Sequence, residues 1–499
     1  MGSQPRGYAV EMSGIAGILL LEGSNAKALH DRMLSRIRHR GKATTHTHAA
    51  SGGVAIISEL GRRRKKRQTK QQMIALDSSE FPVSAMDRDL LHLAVTEKRS
   101  PRMQAVTAAA LVSDGLSIYR SKDGTRPLYY APLENGFAFA SERKSLWALE
   151  TGFVRPLDPG ELVTFLWNGS SQSAQLDPRE RPPLDETSTQ EMLVAELSGH
   201  IRTAFERLRR VRRCGVLFSG GVDSTLAALM ASRVCENTTL ITVSSETAKD
   251  VKASELAAKE LNLQHRVIIL TEENVWRALP EVIYAIETTN RMDVEIALPF
   301  FMAAADAHRQ KCSIIVSGQG PDELFAGYSK HEEIMRGKGP EALKDELWAA
   351  VCATHEANIA RDERAIAYHG VGAFFPYLYS DFVEAALKIP SGMLVRLDRA
   401  QRRKLIFREL GRSLSLPAKL ANTRKQATQY SSGSSKMLLQ AIRANVKEAE
   451  KLSKKAAEKI VQDVLDFIGN ELGVPPQYGF VREFDINLGP IGQGGARKK

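Results

Sequence analysis

The sequence predicts a two-part α/β protein: a strand-rich first half, then a doubly wound parallel sheet with a helical extension. Three observations carry that reading. Between residue 14 and about 165, short β-rich runs are separated by Gly, Pro and Asp turns. From Leu193, helical spacing alternates with β-branched apolar runs of the kind found in parallel strands buried on both faces. Beyond Pro340 the pattern is mostly helical. At 499 residues the chain exceeds what one core organises, so two or more domains are expected.

The first half contains GIAGILLL, GGVAII, AAALV, LSIY, PLYYA and FAFA, each short enough for one strand. GIAGILLL is far too short for a membrane span, and Glu11 spoils the basic flank a signal peptide needs. It reads as a buried strand, with no membrane association. Residues 169–188, with an SSQS run, Pro182, Pro183 and mixed charges, read as a linker. Leu193, Leu197, Ile201, Phe205 and Leu208 then mark a helix leading into the apolar run 214–218. LITVSS, HRVIIL and CSIIVSG supply further strands. An alanine- and lysine-rich amphipathic stretch covers residues 446–468, and GPIGQGGARKK reads as a mobile tail. The expected division is 12–168, a linker at 169–188, a second domain at 189–488 and a tail at 489–499.

Hydrophobic residues at 43% and charged residues at 25% fit a soluble protein. The formal charge of +11 suits a polyanionic partner or a nucleotide alike. Cys214, Cys235, Cys312 and Cys352 form no CxxC pair, which argues against a zinc cluster or disulfide framework and for a reducing cytoplasm.

The segment CGVLFSGGVDSTLAALM runs from a strand through a serine-glycine loop into a helix. Gly220 and Gly221 allow a tight turn that brings backbone N–H groups to an anion, and Ser219 and Ser224 add hydroxyl donors beside the positive helix terminus. Val222 opens that helix, and Asp223 stands where it could hold Mg²⁺ against phosphate oxygens. The Lys of a GxxxxGKS loop is missing, so a γ-phosphate is not the obvious target. The competing reading is a purely structural Gly-Gly turn. A second loop, SGQGPDELFAGY, follows the strand IIV and offers Ser317 and Gly318 to the nucleotide and the carboxylates Asp322 and Glu323 for a further metal contact. An acidic helix start is its alternative.

SGGVDS matches the pyrophosphate loop of the N-type ATP pyrophosphatases. Together the two loops resemble the synthetase domain of the asparagine synthetase family, over most of residues 193–436. The resemblance implies an adenine nucleotide α-hydrolase-like domain in which Ser219, Gly220, Gly221, Asp223 and Ser224 bind the pyrophosphate of ATP, and Asp223 and Asp322 bind Mg²⁺. It places the adenine strand at Leu240–Ser244, with Val243 and Ser244 as contacts, and Asp250 after a short loop. IARDERAIAYHGVGAFFPYL resembles the segment lining the acceptor pocket, and TRKQATQYSSG the late lysine loop. Lys425 would then stabilise charge on the α-phosphate and the tetrahedral intermediate; without the other motifs it reads as a solvated lysine.

The first half resembles the family's glutamine amidotransferase domain, an αββα sandwich of the Ntn type, through HRG at 39–41, GTRPLYY, ASERKSL and Pro159-Gly160. The departures bear on activity. The family nucleophile is an N-terminal cysteine, and here Ser13 follows a further segment. MIALDSSEF replaces the asparagine-glycine-glutamate motif, so no glutaminase activity is expected. Gln319 stands where the asparagine synthetases carry Glu and the β-lactam synthetases Tyr. Gly372 and Phe374 replace an acceptor-pocket Glu and Arg. A glutamine is no general base, so the acceptor is left open as aspartate or a related acid.

The resulting expectation is an AMP-forming ligase that uses MgATP to adenylate a small carboxylate, which ammonia or an amine then attacks. The run GRRRKKRQTK, with Arg62 to Arg67 at its centre, suits a nucleic acid or a docking partner, its alternative being a solvated loop. An adenylating enzyme acting on tRNA and a non-catalytic ATP-binding regulator are the competing readings. A homodimer is the expected assembly.

Overall fold

Seven consecutive buried residues, Gly14–Leu20, form β1, and its two faces meet different layers. Ile15 and Leu19 face a second sheet; Ala16, Ile18 and Leu20 face helices. That alternation is the period of two imposed by a strand. The computed structural model describes residues 13–488 except 23–24, 51, 62–73, 79–84, 247–248, 399–402, 424–431, 451–452, 478, 480 and 487. The other strands of the first half are β2 (Lys42–Ala50), β3 (Gly53–Gly61), β4 (Ile74–Ser78), β5 (Val106–Val112), β6 (Gly115–Arg120), β7 (Tyr129–Leu133), β8 (Gly136–Ala140), β9 (Arg155–Pro156), β10 (Glu161–Leu166) and β11 (Ser171–Gln175). They pair antiparallel in two sheets, ordered β2-β3-β1-β8-β7-β9 and β11-β10-β6-β5-β4. Helices α1 (Ala26–Arg36) and α3 (Arg143–Trp147) cover the first sheet, and α2 (Ala85–Thr96) covers the second. The layering is αββα.

The stretch read as a linker is corrected at one point. Ser171–Gln175 pairs with β10 along its length as an edge strand. Its side chains are almost all exposed, so backbone pairing alone holds it and no apolar alternation marks it in the sequence.

The second half is built on β12 (Arg213–Leu217), β13 (Asn237–Ser245), β14 (Gln264–Leu270), β15 (Ile314–Val316) and β16 (Gly372–Phe374), all parallel, in the order β14-β13-β12-β15-β16. Helices α4 (Gln190–Glu206), α5 (Val222–Ser232) and α6 (Lys249–Leu261) pack on one face. On the other lie α7 (Glu272–Ile286), α8 (Arg291–Arg309) and C-terminal helices, including Lys454–Glu471. The sheet is therefore doubly wound. Strand order reverses at β12, whose chain continues to β13 on one side while β15 lies on the other. A crevice opens at such a point beyond the carboxyl ends of the strands, which is where ligands bind in these sheets. Among the described residues no helix is long and apolar enough to cross a membrane.

Candidate active site at the sheet switch point

Both serine-glycine loops leave the sheet at this crevice. The first follows β12 directly. Gly220 has φ +74°, and a Cβ there would lie 2.8 Å from the Ala253 carbonyl of α6, so the turn requires glycine on two counts. Within the loop Ser219 Oγ accepts the Gly221 N–H at 3.4 Å, and Ser224 Oγ lies 3.3 Å from both the backbone nitrogen and the hydroxyl of Ser219. Val222 starts α5 and is buried in the core. The loop thus presents hydroxyls and backbone N–H groups ahead of an eleven-residue helix, the arrangement that cradles phosphate. Tyr377 donates its hydroxyl to the Asp223 carbonyl at 2.9 Å and anchors the same turn from below.

The second loop follows β15. Ser317 N–H is held by the Phe374 carbonyl of the neighbouring β16 at 2.9 Å, and Gly318 packs on the first turn of α5. Asp322 and Glu323 are both buried. Glu323 Oε1 accepts the Tyr328 hydroxyl at 2.6 Å, and burial pushes its carboxyl pKa up. The sequence placed Asp223 and Asp322 in separate loops, and the structure brings them onto one cation. Lys404 Nζ stands 2.8 and 2.7 Å from the two carboxylate oxygens of Asp223 and 2.7 Å from Asp322 Oδ1. Carboxylate oxygens beside a phosphate loop are the donors Mg²⁺ takes, usually one or two with the rest from phosphate and water. The residues fit that ion in kind; Lys404 fills the point midway between them.

Gln319, in the second loop, donates from Nε2 to Asp362 Oδ2 at 2.7 Å. Asp362 lies in the helix Ala360–Ala367, which continues a π-helical turn at His355–Ile359 and is buried along its whole length. Arg361 Nε donates to the other Asp362 oxygen at 2.8 Å. Burial raises the Asp362 pKa, against the opposing charge of Arg361. Gly372 and Phe374 belong to β16, and the Phe374 ring packs on Phe205 and Tyr379 in the core. Both are buried, and neither offers a charged group there.

Val243 and Ser244 lie near the carboxyl end of β13, on the side of the sheet where both loops leave it. Ser245 N–H and Ser244 Oγ both donate to the Ser432 carbonyl, at 2.7 and 3.3 Å. Lys425 lies outside the described residues, as do Arg62 to Arg67 and the tail, while the side chain of Asp250 is not described. The flanks of the lysine loop are placed, however. Thr423 on its leading side accepts from Arg408 at 3.1 Å, and Ser432 on its trailing side is pinned to β13. Lys404 and Asp362 were not found from the sequence. Lys404 sits in an undistinguished basic run, and its partners lie 181 and 82 positions away, so only the fold reveals it.

The nucleophile position of the first domain is filled in another way. Ser13 Oγ donates to Asp77 at 2.9 Å and accepts the Ser78 N–H at 3.1 Å. Behind it Arg40, fully buried, grips Glu363 of the second domain through two bonds of 3.0 and 2.7 Å and also pairs with Glu142. Arg126 reaches the same Glu363 at 3.1 Å. Although burial raises the Glu363 pKa, the two guanidiniums hold it below the usual carboxylate range.

A parallel sheet with a phosphate-cradling loop and two converging aspartates at its switch point, preceded by an αββα sandwich, defines an ATP-pyrophosphatase-type synthetase domain joined to an amidotransferase-like one. Residues 196–466 match the family described as asparagine synthase, more than half of the chain, and the chain belongs to that family. Over 407 residues it is 30% identical to a protein of Methanocaldococcus jannaschii provisionally named asparagine synthetase (glutamine-hydrolysing) 1, spanning 72% of this chain and 74% of that one. It is 28% identical over 305 residues to the asparagine synthetase (glutamine-hydrolysing) of Pongo abelii, 55% of this chain and about half, 54%, of the relative. A likeness to NMN synthetase from Francisella tularensis covers 57% of this chain and 94% of the other at 14% identity with a TM-score of 0.26, too low to bear on the site.

Proposed function

We propose that the protein is an ATP-dependent, AMP-forming carbon–nitrogen ligase that adenylates a small carboxylate and passes the acyl group to ammonia or an amine. The observation that carries this is the convergence of Asp223 and Asp322 from two loops at the switch point, beside the Ser219–Ser224 cradle. In the first step a carboxylate oxygen attacks the α-phosphorus and the bond to the bridging oxygen breaks, releasing pyrophosphate. Backbone N–H groups and hydroxyls of residues 219–224 bind the departing phosphates. In the second step the nitrogen attacks the acyl carbon, loses a proton and expels AMP. Lys425 would take charge on the α-phosphate, and Val243 and Ser244 would flank the base. Asp223 and Asp322 would hold Mg²⁺, which when bound neutralises phosphate oxygens.

The acceptor is a carboxylate other than aspartate, supported by a glutamine bonded to Asp362 at the base position and by Phe374 turned into the core. Glutamine is not the nitrogen source. Ser13 is an alcohol held by Asp77 and the Ser78 N–H, with Arg40 and Arg126 packed behind it. Incubation with glutamine should release no glutamate; release at a rate that follows ATP consumption would reverse that reading.

The deciding experiment is carboxylate-dependent ATP–pyrophosphate exchange, run across a panel of acids that includes aspartate. Exchange that needs one acid and disappears in Asp223→Ala is the expected result. AMP formation with no acid present, or no exchange with any, would reject it.

A further inference from the structure

Lys404 is built into this site by three independent features. Its backbone adopts φ 56°, ψ 36°, a left-handed conformation that a side-chain-bearing residue takes only under constraint. Its side chain is almost wholly buried, and Arg403 beside it is tied to the Gly327 carbonyl at 2.6 Å and to Glu332 at 2.8 Å, fixing the approach. Gly327 leaves room for it: a Cβ at that position would lie 2.3 Å from Lys404 Cε and 1.8 Å from Asp322 Oδ1. Conformation, tether and clearance all serve to bring one ammonium between two carboxylates.

Two carboxylates brought this close inside a protein repel unless a cation lies between them. An ion bridging both would need oxygens at about 2.1 Å on each side, which is the place Nζ holds. We propose that Lys404 is the resident counter-cation of the Asp223–Asp322 pair: it holds the carboxylates together before nucleotide arrives and bars a divalent ion from bridging them until a triphosphate gives its ammonium a new anionic partner. A buried ammonium withdrawn without such a partner would be left unpaired, which is strongly unfavourable. Metal and nucleotide would therefore enter together. This last step rests on the reading of the site as one for ATP; the exclusion of the ion does not.

Mn²⁺ serves as the probe, read by the loss of its free-ion electron paramagnetic resonance signal with the full chain. Without nucleotide, Lys404→Met should bind Mn²⁺ at least tenfold more tightly than the wild type, and adding Asp322→Asn to that variant should remove the gain. Equal affinity in the two proteins would overturn the proposal. Should Lys404→Met not fold, as judged by its melting transition, the wild type suffices. Its nucleotide-free Mn²⁺ binding should be unchanged by Asp322→Asn, and a loss on that substitution would mean that the ion already sits between the carboxylates. Addition of a non-cleavable ATP analogue should raise wild-type Mn²⁺ affinity at least tenfold. An analogue that does not bind at all would instead count against the function proposed above, leaving the comparison of variants to decide the role of Lys404.

Discussion

A side-chain amide has a donor end and an acceptor end, and Asp362 settles which way Gln319 turns. With Nε2 committed to that carboxylate, the carbonyl end points away from the helix. Returning the position to the family's residue would be costly here. Gln319→Glu sets a second carboxyl against Asp362, and like charges at that distance raise the pKa of the pair. Raised folded-state values make the pair tolerable when protonated and repulsive as pH rises, so the variant should match the wild type near pH 5 and lose about 2–3 kcal/mol near pH 8. Urea denaturation at the two pH values measures this. His331 works in the opposite sense. Burial lowers its pKa to about 4, so its contribution to stability is complete above the unfolded value of 6.5 and declines as pH falls. By pH 5 the loss from this one ring is about 2 kcal/mol, and His331→Phe should show a smaller difference between melts at pH 7 and pH 5. At this scale the sequence displayed Ser219, Asp223 and Asp322 because loop residues of those types announce a phosphate site. It hid Lys404 and Asp362, whose meaning depends on partners contributed by other elements.

Among elements, several that bury apolar faces were plain in advance. GIAGILLL, AAALV, FAFA, LITVSS and IIV all became strands, each with buried residues against a defined layer. Among the strands that escaped, β2 with its KATTHTHAA and β11 with its SQSAQ are edge strands exposed on most side chains, whereas β4, β10 and β16 are buried and were passed over all the same. Edge strands are held by one neighbour's backbone, and their composition reflects solvent. The loop after β12 shows how closely an element can depend on one residue. Gly220→Ala must take a positive φ and push a methyl into the Ala253 carbonyl, so a stability loss of about 1–3 kcal/mol is expected, with loss of ATP affinity beyond it. Equilibrium unfolding and nucleotide binding by calorimetry would separate the two effects. The π-helical turn at His355–Ile359 had no signal in the sequence. It rotates the helix that follows, whose four consecutive residues Arg361, Asp362, Glu363 and Arg364 are all buried and all paired.

Over the whole molecule, the two halves meet through charge. Glu287, at the end of α7, accepts the Arg143 and Lys144 N–H groups that open α3 at 3.0 and 2.9 Å, and Arg364 lies 3.1 Å from the same carboxylate. Arg364 also donates to the Tyr129 hydroxyl at 2.8 Å. Glu363→Gln would strip charge from beneath Arg40 and Arg126, and breaking a buried pair in this way costs about 3–5 kcal/mol. The expected readout in calorimetry is a lower transition temperature, with the two halves ceasing to melt together. The two-domain organisation was legible because each half carries its own hydrophobic period. The contact between them was not, since a buried Arg–Glu pair more than 300 positions apart leaves no local pattern.

The short helix Ala360–Ala367 makes the chain hard to cut. Severed between the halves, the second fragment would expose Glu363 and Arg364 without Arg40, Arg126 and Tyr129, and the first would be left with Arg40 and Arg126 sharing only Asp77 and Glu142. Neither fragment would be content alone, yet each would hold the counter-charges of the other. Two fragments cut at that boundary should therefore gain order on mixing, read as an increase in the melting transition over either fragment alone.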